Sequence, residues 1–128
     1  MFDIDNLKAI NDQYGHDVGD LAITACARRA QHWLKQTDIL GRIGGEAFLI
    51  ILPETEQAQA VEIAERLRAS IESNPFLLNA VKLSYTISVA VAMLTPQIHE
   101  LVDIIKQADM GMYQAKNKGR NQVVVVEH

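Results

Sequence analysis

The sequence predicts one α+β domain: a ferredoxin-like or palm-type sheet, mainly antiparallel, with helices packed on it. Three observations carry this expectation. Strand-like and helix-like periodicities alternate in the order β-α-β-β-α-β-α-β. The two adjacent strands meet at Gly44-Gly45-Glu46, a hairpin signal between apolar runs. A chain of 128 residues with 48% hydrophobic content can bury one core and is too short for two. Residues 1–128 are therefore expected to form a single domain, with no internal repeat, linker or low-complexity tract.

Phe2 to Ile4 reads as the end of a strand, so the chain starts inside an element, as an economical domain or one whose front is left out would. Asn6 to Tyr14 is a short helix with Leu7 and Ile10 on one side, broken by Gly15-His16-Asp17-Val18-Gly19. A helix from Asp20 to Lys35 places Ile23, Cys26, Ala27, Ala30, Trp33 and Leu34 on one stripe. Asp38–Ile43 and Ala47–Leu52 are the hairpin strands, and the second lacks alternation, which predicts cover on both faces. Thr55 is the expected N-cap of a helix over Glu56–Ser73, with Ala58, Val61, Ala64, Leu67 and Ile71 inward. Lys82–Met93 is β-branched and alternating, a strand. Thr95-Pro96 then predicts a helix start. Its stripe of Ile98, Leu101, Val102, Ile105, Ala108, Met112 and Ala115 runs to a stop at Gly119, with room for a break near Gln107. Val123–Val126 is a last short strand.

Composition removes several classes of function. A net charge of −4 argues against a general nucleic-acid binder. The apolar runs 47–52 and 89–94 are too short to span a bilayer, and with Asp3 and Asp5 so early nothing at the start looks like a signal peptide. A single cysteine, Cys26, excludes an intramolecular disulfide and a cysteine zinc site, as expected of a cytoplasmic chain. Charge is also unevenly spread. Asp3, Asp5, Asp12, Asp17 and Asp20 face only Lys8 in the first 20 residues, whereas Lys106, Lys116, Lys118 and Arg120 dominate the last 23. Such poles suit a metal ion and a polyphosphate, and equally suit plain solvation.

Four groups could carry chemistry. Asp3-Ile4-Asp5 at a strand end offers the hard oxygen ligands that magnesium takes in phosphoryl transfer, or two solvated acids. Asn11 and Asp20 bracket Gly15-His16-x-x-Gly19 and together offer the donor and acceptors that a guanine edge needs, or else a turn cap and a helix cap. His16 is expected to hold that loop by a hydrogen bond rather than to act on substrate. Gly44-Gly45-Glu46 permits close backbone approach and presents a carboxylate toward Asp3, or is an ordinary turn. Lys116-x-Lys118-Gly119-Arg120-Asn121 places cations at a helix end, where the dipole favours them in any protein. Arg120, past the glycine, suits phosphate recognition better.

Taken in order, these segments resemble the GGDEF domain, the catalytic module of diguanylate cyclases. The matching residues are Phe2-Asp3-Ile4-Asp5 with Lys8-x-Ile10-Asn11-Asp12, Tyr14-Gly15-His16-x-x-Gly19-Asp20, Arg42-x-Gly44-Gly45-Glu46-Ala47-Phe48, Leu52-Pro53-x-Thr55, Thr86-x-Ser88-x-Ala90-x-Ala92, and Ala108-Asp109 with Tyr113-x-Ala115-Lys116 and Gly119-Arg120-Asn121. The resemblance spans essentially the whole chain and implies an adenylate-cyclase-like palm. It implies that Asp3, the Ile4 carbonyl and Glu46 bind Mg2+ (or Mn2+). Glu46 would also help deprotonate the attacking ribose 3′-hydroxyl. Asn11 and Asp20 would recognise guanine. Lys116 and Arg120, with backbone amides of Asn6, Leu7 and Lys8, would hold the terminal phosphates. Two domains, each with one GTP, would face each other as an antiparallel homodimer and release cyclic di-GMP and two pyrophosphates. A sensor or receiver domain in the parent protein would supply the signal. That parent could be membrane-anchored, while this domain itself would be cytoplasmic and touch neither membrane nor nucleic acid.

Four departures from the family pattern qualify this. The signature loop Gly44, Gly45, Glu46, Ala47, Phe48 carries alanine where the family normally has a second carboxylate, which predicts weakened turnover or a GTP-binding regulatory module. The product-inhibition site is degenerate: Lys35 stands for its arginine, with Asp38 and Arg66 kept, and lysine lacks the planar fork of a guanidinium. Ala90 replaces a usual glycine, a packing change expected to be tolerated. The family's opening helix, with its Asp-x-Leu-Thr-Gly-Leu-x-Asn-Arg segment, is missing, which predicts exposed apolar surface.

Overall fold

The computed structural model describes residues 1–78, 80–98 and 100–127. In chain order its elements are β1 (Phe2–Ile4), α1 (Leu7–Tyr14), α2 (His16–His32), β2 (Ile39–Ile43), β3 (Ala47–Ile51), α3 (Gln57–Ser73), β4 (Phe76–Leu78), β5 (Val81–Leu83), β6 (Ile87–Val91), α4 (Leu101–Asn117) and β7 (Val123–Val125). Five strands form one sheet in the order β2-β3-β1-β6-β7. All its neighbours are antiparallel except β6 and β7, which α4 joins as a parallel crossover. The predicted α+β class and mainly antiparallel sheet are therefore observed.

The core grows from the sheet centre. Phe2 of β1 and Phe48 of β3 are cross-strand partners, and their rings stack at 5.1 Å between centroids. Ile4 and Ile87 continue that layer, and Cys26 of α2 with Leu67 and Ile71 of α3 close over it. Both α3 and α4 contact β6 and β7. Every residue of β6 is buried, as a central strand between such neighbours must be. Where α4 crosses β6, Gly111 leaves room for Ala90: a Cβ on Gly111 would lie 2.8 Å from the Ala90 Cβ and 2.7 Å from Val126 Cγ2.

Several local expectations need correction. The helix expected from Asp20 begins at His16, so Val18 and Gly19 lie inside α2 rather than in a loop. Thr55 does not cap α3. Its hydroxyl donates to the Pro53 carbonyl, and Glu56 is the N-cap, with its amide donating to Gln59 Oε1. Ala58 is exposed, and the inward stripe starts at Ala60. The strand expected over Lys82–Met93 is two strands, and β5 pairs with β4, which the sequence reading had not separated. Thr95 closes a turn on Ile98 through its carbonyl, amide and hydroxyl, while α4 starts later, after Glu100, and runs unbroken past Gln107. β3 is not covered on both faces, because Ile51 is exposed. Ile51, Leu49, Leu94, Leu101 and Ile105 line an open apolar groove of about 560 Å³ between the sheet, α3 and α4. Exposed apolar surface was expected, and Leu101 and Val102, read as inward, contribute to it.

Candidate functional site

β1 lies between β3 and β6, with Asp3 opposite Ala47 on one side and Ser88 on the other. The last turn of α4 delivers Lys116 to this strand end. Its Nζ lies 2.5 Å from Asp3 Oδ1, 2.7 Å from Asp5 Oδ1 and 3.5 Å from the Ile4 carbonyl. One ammonium thus serves two carboxylates. Asp5 is buried and accepts three further hydrogen bonds, from Ser88 Oγ at 2.6 Å, Thr86 Oγ1 at 2.7 Å and the Asn121 amide at 2.9 Å. Burial pushes the Asp5 carboxyl up, but the hydrogen bonds from Lys116, Ser88, Thr86 and Asn121 together hold it below its usual value. Asp3 behaves oppositely. Burial raises it despite the opposing Lys116 charge. Its buried Oδ1 is ion-paired with the Lys116 ammonium.

The two aspartates differ chemically: Asp5 accepts from Ser88, Thr86 and the Asn121 amide as well as Lys116, whereas Asp3 has only the Lys116 ammonium against it among the described residues. Glu46 is exposed at the β2–β3 hairpin tip, one residue from Ala47, the cross-strand partner of Asp3. The hairpin is pinned by Arg42, whose Nε donates to the Gly45 carbonyl at 2.9 Å, and Gly44 has a φ of 65° that favours glycine. Asp3, the Ile4 carbonyl and Glu46 are hard oxygen donors of the kind magnesium or manganese takes. No cluster of three His, Cys, Asp or Glu side chains suited to a metal occurs among the described residues. A cation here would therefore complete its shell with water or phosphate oxygens, which is how magnesium commonly binds nucleotides.

Asn11 and Asp20 sit where α1 turns into α2. Gly15, with a φ of 96°, joins the two helices directly. Gly19 lets the Asn11 amide lie against α2: a Cβ there would stand 1.8 Å from Asn11 Oδ1. Neither side chain caps a helix, which removes the plainer of their two readings. Asp20 is exposed inside α2, and Asn11 Oδ1 is buried without a partner. His16 opens α2 and is exposed, and it makes none of the expected hydrogen bonds to the loop.

At the cationic end, Gly119, Arg120 and Asn121 all have positive φ, of 114°, 64° and 46°. Arg120 is exposed, yet its charge reaches Asp3. Across the site, Asn6, also at positive φ, leads into α1. The amides of Asn6, Leu7 and Lys8 lie there at a helix N-terminus, where N–H groups lack intrahelical acceptors. The degenerate inhibitory residues are elsewhere. Lys35 and Asp38 close a turn on each other, with the Lys35 amide donating to Asp38 Oδ2 at 2.8 Å. Arg66 pairs with Glu62 and lies 5.9 Å over the Trp33 ring.

Asp5, offered with Asp3 as a magnesium ligand, is instead a hydrogen-bond hub, and Thr86, Ser88, Arg68 and Asn121 around it carry no role from the sequence. A signal existed for two of them: Thr86 and Ser88 are polar at alternate positions of an otherwise apolar strand, which marks a buried polar partner.

The fold is a palm-like sheet, with carboxylates at the central strand end and Lys116 of the crossover helix beside them. The pattern of the family described as "Diguanylate cyclase, GGDEF domain" matches residues 1–122, and the chain belongs to that family. It is 34% identical over 125 residues to Diguanylate cyclase A of Treponema denticola, covering 98% of this chain and 34% of the relative. It is 40% identical over 126 residues to the response regulator PleD of Caulobacter vibrioides, covering 97% of this chain and 28% of that protein. The chain thus spans about a third of the curated relatives it matches. Among solved structures, the active GGEEF domain of a diguanylate cyclase from Vibrio cholerae superposes with a TM-score of 0.90 at 34% identity, over 99% of this chain and 80% of that one. The GGDEF domain of DgcB from Caulobacter crescentus, in complex with c-di-GMP, does so at 0.92 and 27% identity, over 99% and 75%. Among the described residues, no helix is long and apolar enough to cross a membrane.

Proposed function

We propose that this domain binds GTP and condenses two molecules into cyclic di-GMP, releasing two pyrophosphates across an antiparallel pair of domains. The observation that carries the reading is the Asp3 carboxylate and the Ile4 carbonyl meeting the Lys116 ammonium at one strand end, an oxygen cluster built around positive charge. Magnesium or manganese, held by Asp3, the Ile4 carbonyl and Glu46, would neutralise charge on the triphosphate. Asn11 and Asp20 orient the base, offering between them the amide and carboxylate groups that a guanine edge needs. Lys116, Arg120 and the α1 amides hold the terminal phosphates and stabilise charge on the departing pyrophosphate. Glu46, exposed at the hairpin tip, accepts the proton of the attacking 3′-hydroxyl.

One observation favours a second reading, a regulatory domain that binds GTP without turning it over. The cross-strand partner of Asp3 is Ala47, a methyl group, where the Vibrio cholerae domain named above carries GGEEF. Incubation of the protein with GTP and magnesium, followed by chromatography, separates the two. Cyclic di-GMP is expected. GTP binding without product at high protein concentration selects the regulatory reading. Asp3→Ala is expected to abolish magnesium-dependent GTP binding, and unchanged affinity would remove the site assignment itself.

A further inference from the structure

The turn that carries Arg120 is tied to α3 rather than left to itself. Three consecutive residues, Gly119, Arg120 and Asn121, have left-handed backbones, and two of them are not glycine. Such a run persists only where surrounding contacts over-determine it. Here they converge on Asn121. Its amide donates to Asp5 Oδ2 at 2.9 Å, its side-chain oxygen accepts from Arg68 Nη1 at 3.0 Å, and its side-chain nitrogen donates to Glu72. Arg68 is in turn gripped by Glu65 at 3.1 Å and Glu72 at 3.5 Å, and its side chain is only 19% exposed. Both ends of the Asn121 side-chain amide are therefore engaged by α3, which ties that helix to the turn. By contrast, the Arg120 guanidinium has no partner among the described residues.

We propose that Arg68 and Asn121 are positioning residues: from α3 they lock the left-handed turn and so aim the Arg120 guanidinium at the terminal phosphates of the bound nucleotide. The inference rests on the nucleotide site proposed above and adds to it a part that touches no ligand. Its chemical consequence is selective. Phosphates beyond the first depend on the clamp, and base recognition through Asn11 and Asp20 does not.

Affinities for GTP and GMP, measured by calorimetry with magnesium, read this out as a ratio. Three variants are compared: Arg120→Met, Arg68→Met and Asn121→Gly, the last keeping a residue suited to the left-handed backbone. The wild type is expected to prefer GTP, and each variant to lose about tenfold of that preference with GMP affinity unchanged. The double variant Arg68→Met/Arg120→Met is expected to match Arg120→Met alone, since residues acting as a unit are not additive. A merely structural Arg68 would lower thermal stability and leave the ratio intact. Wild-type preference in both Arg68→Met and Asn121→Gly, or additive losses in the double variant, overturns the proposal while leaving the nucleotide site standing. A wild type that prefers neither nucleotide overturns both.

Discussion

The Asn11 side chain lies against Gly19, so closely that a Cβ on Gly19 would stand 1.8 Å from Asn11 Oδ1. Glycine at this position is a condition of where Asn11 sits. Gly19→Ala must expel the Asn11 amide, and two effects compete. Overpacking costs about 1–3 kcal/mol, and alanine inside a helix returns about 1 kcal/mol. The net expectation is a small stability loss with a large functional one: GTP binding weakens while ATP binding does not change. Equal preference shifts for neither nucleotide, in a folded variant, would show that Asn11 does not read the base.

A second close approach joins α4 to the sheet. Gly111→Ala would press a methyl group against Ala90 and Val126, at 2.8 and 2.7 Å. A loss of about 1–3 kcal/mol is expected in urea denaturation. Ala90→Gly, introduced into that variant, should recover part of it, with a coupling energy of about 0.5–3 kcal/mol. Strict additivity would mean that the two positions do not share their space.

These two glycines mark the limit of what was legible in the sequence. Periodicity exposed the stripes of α2, α3 and the later half of α4, because burial on one face leaves a repeat in the chain. Gly19 was read as a loop residue, because glycine signals both a break and a close approach and only the neighbour decides. Thr55 and Thr95 were read as caps, but their hydroxyls bond within turns that precede α3 and α4. Asp3, Asn11 and Lys116 stand out from chemistry and order, and the structure brings Asp3 and Lys116 together. The Asp5 and Arg68–Asn121 supports were not, since they join residues 111 and 53 positions apart.

Ala47→Glu tests the signature loop. Ala47 is half-buried directly opposite Asp3, so a carboxylate there faces another one across the strands. Without a divalent cation the variant should lose about 0.2–1 kcal/mol, the cost of like charges directly opposed. Magnesium should reverse the sign, raising the melting temperature of the variant more than that of the wild type. If the missing carboxylate limits turnover, cyclic di-GMP formation should also rise, by about tenfold or more. Magnesium-independent stability in the variant would place residue 47 away from the cation.

Alkaline pH gives a test that involves no ligand. Burial, with a smaller contribution from the Asp3 charge, pushes the Cys26 thiol from 9.0 up to about 12. Burial also raises the Tyr85 hydroxyl. Both groups are neutral when protonated, so the folded state keeps protons that the unfolded chain releases. Stability from Cys26 is therefore complete below pH 9 and is lost progressively as pH rises toward its folded value of about 12. At pH 10 the loss is on the order of 1 kcal/mol. Tyr85 adds its own loss above pH 10, from where the unfolded hydroxyl begins to ionise. Urea denaturation at pH 8 and pH 10 measures the drop, and Cys26→Ala should shrink it while lowering stability at both pH values. In parallel, the native thiol should resist alkylation at pH 8 and react fully in urea. An equal pH dependence in wild type and Cys26→Ala, or prompt alkylation of the folded protein, would mean that Cys26 is accessible and that α2 does not seal the core over β1.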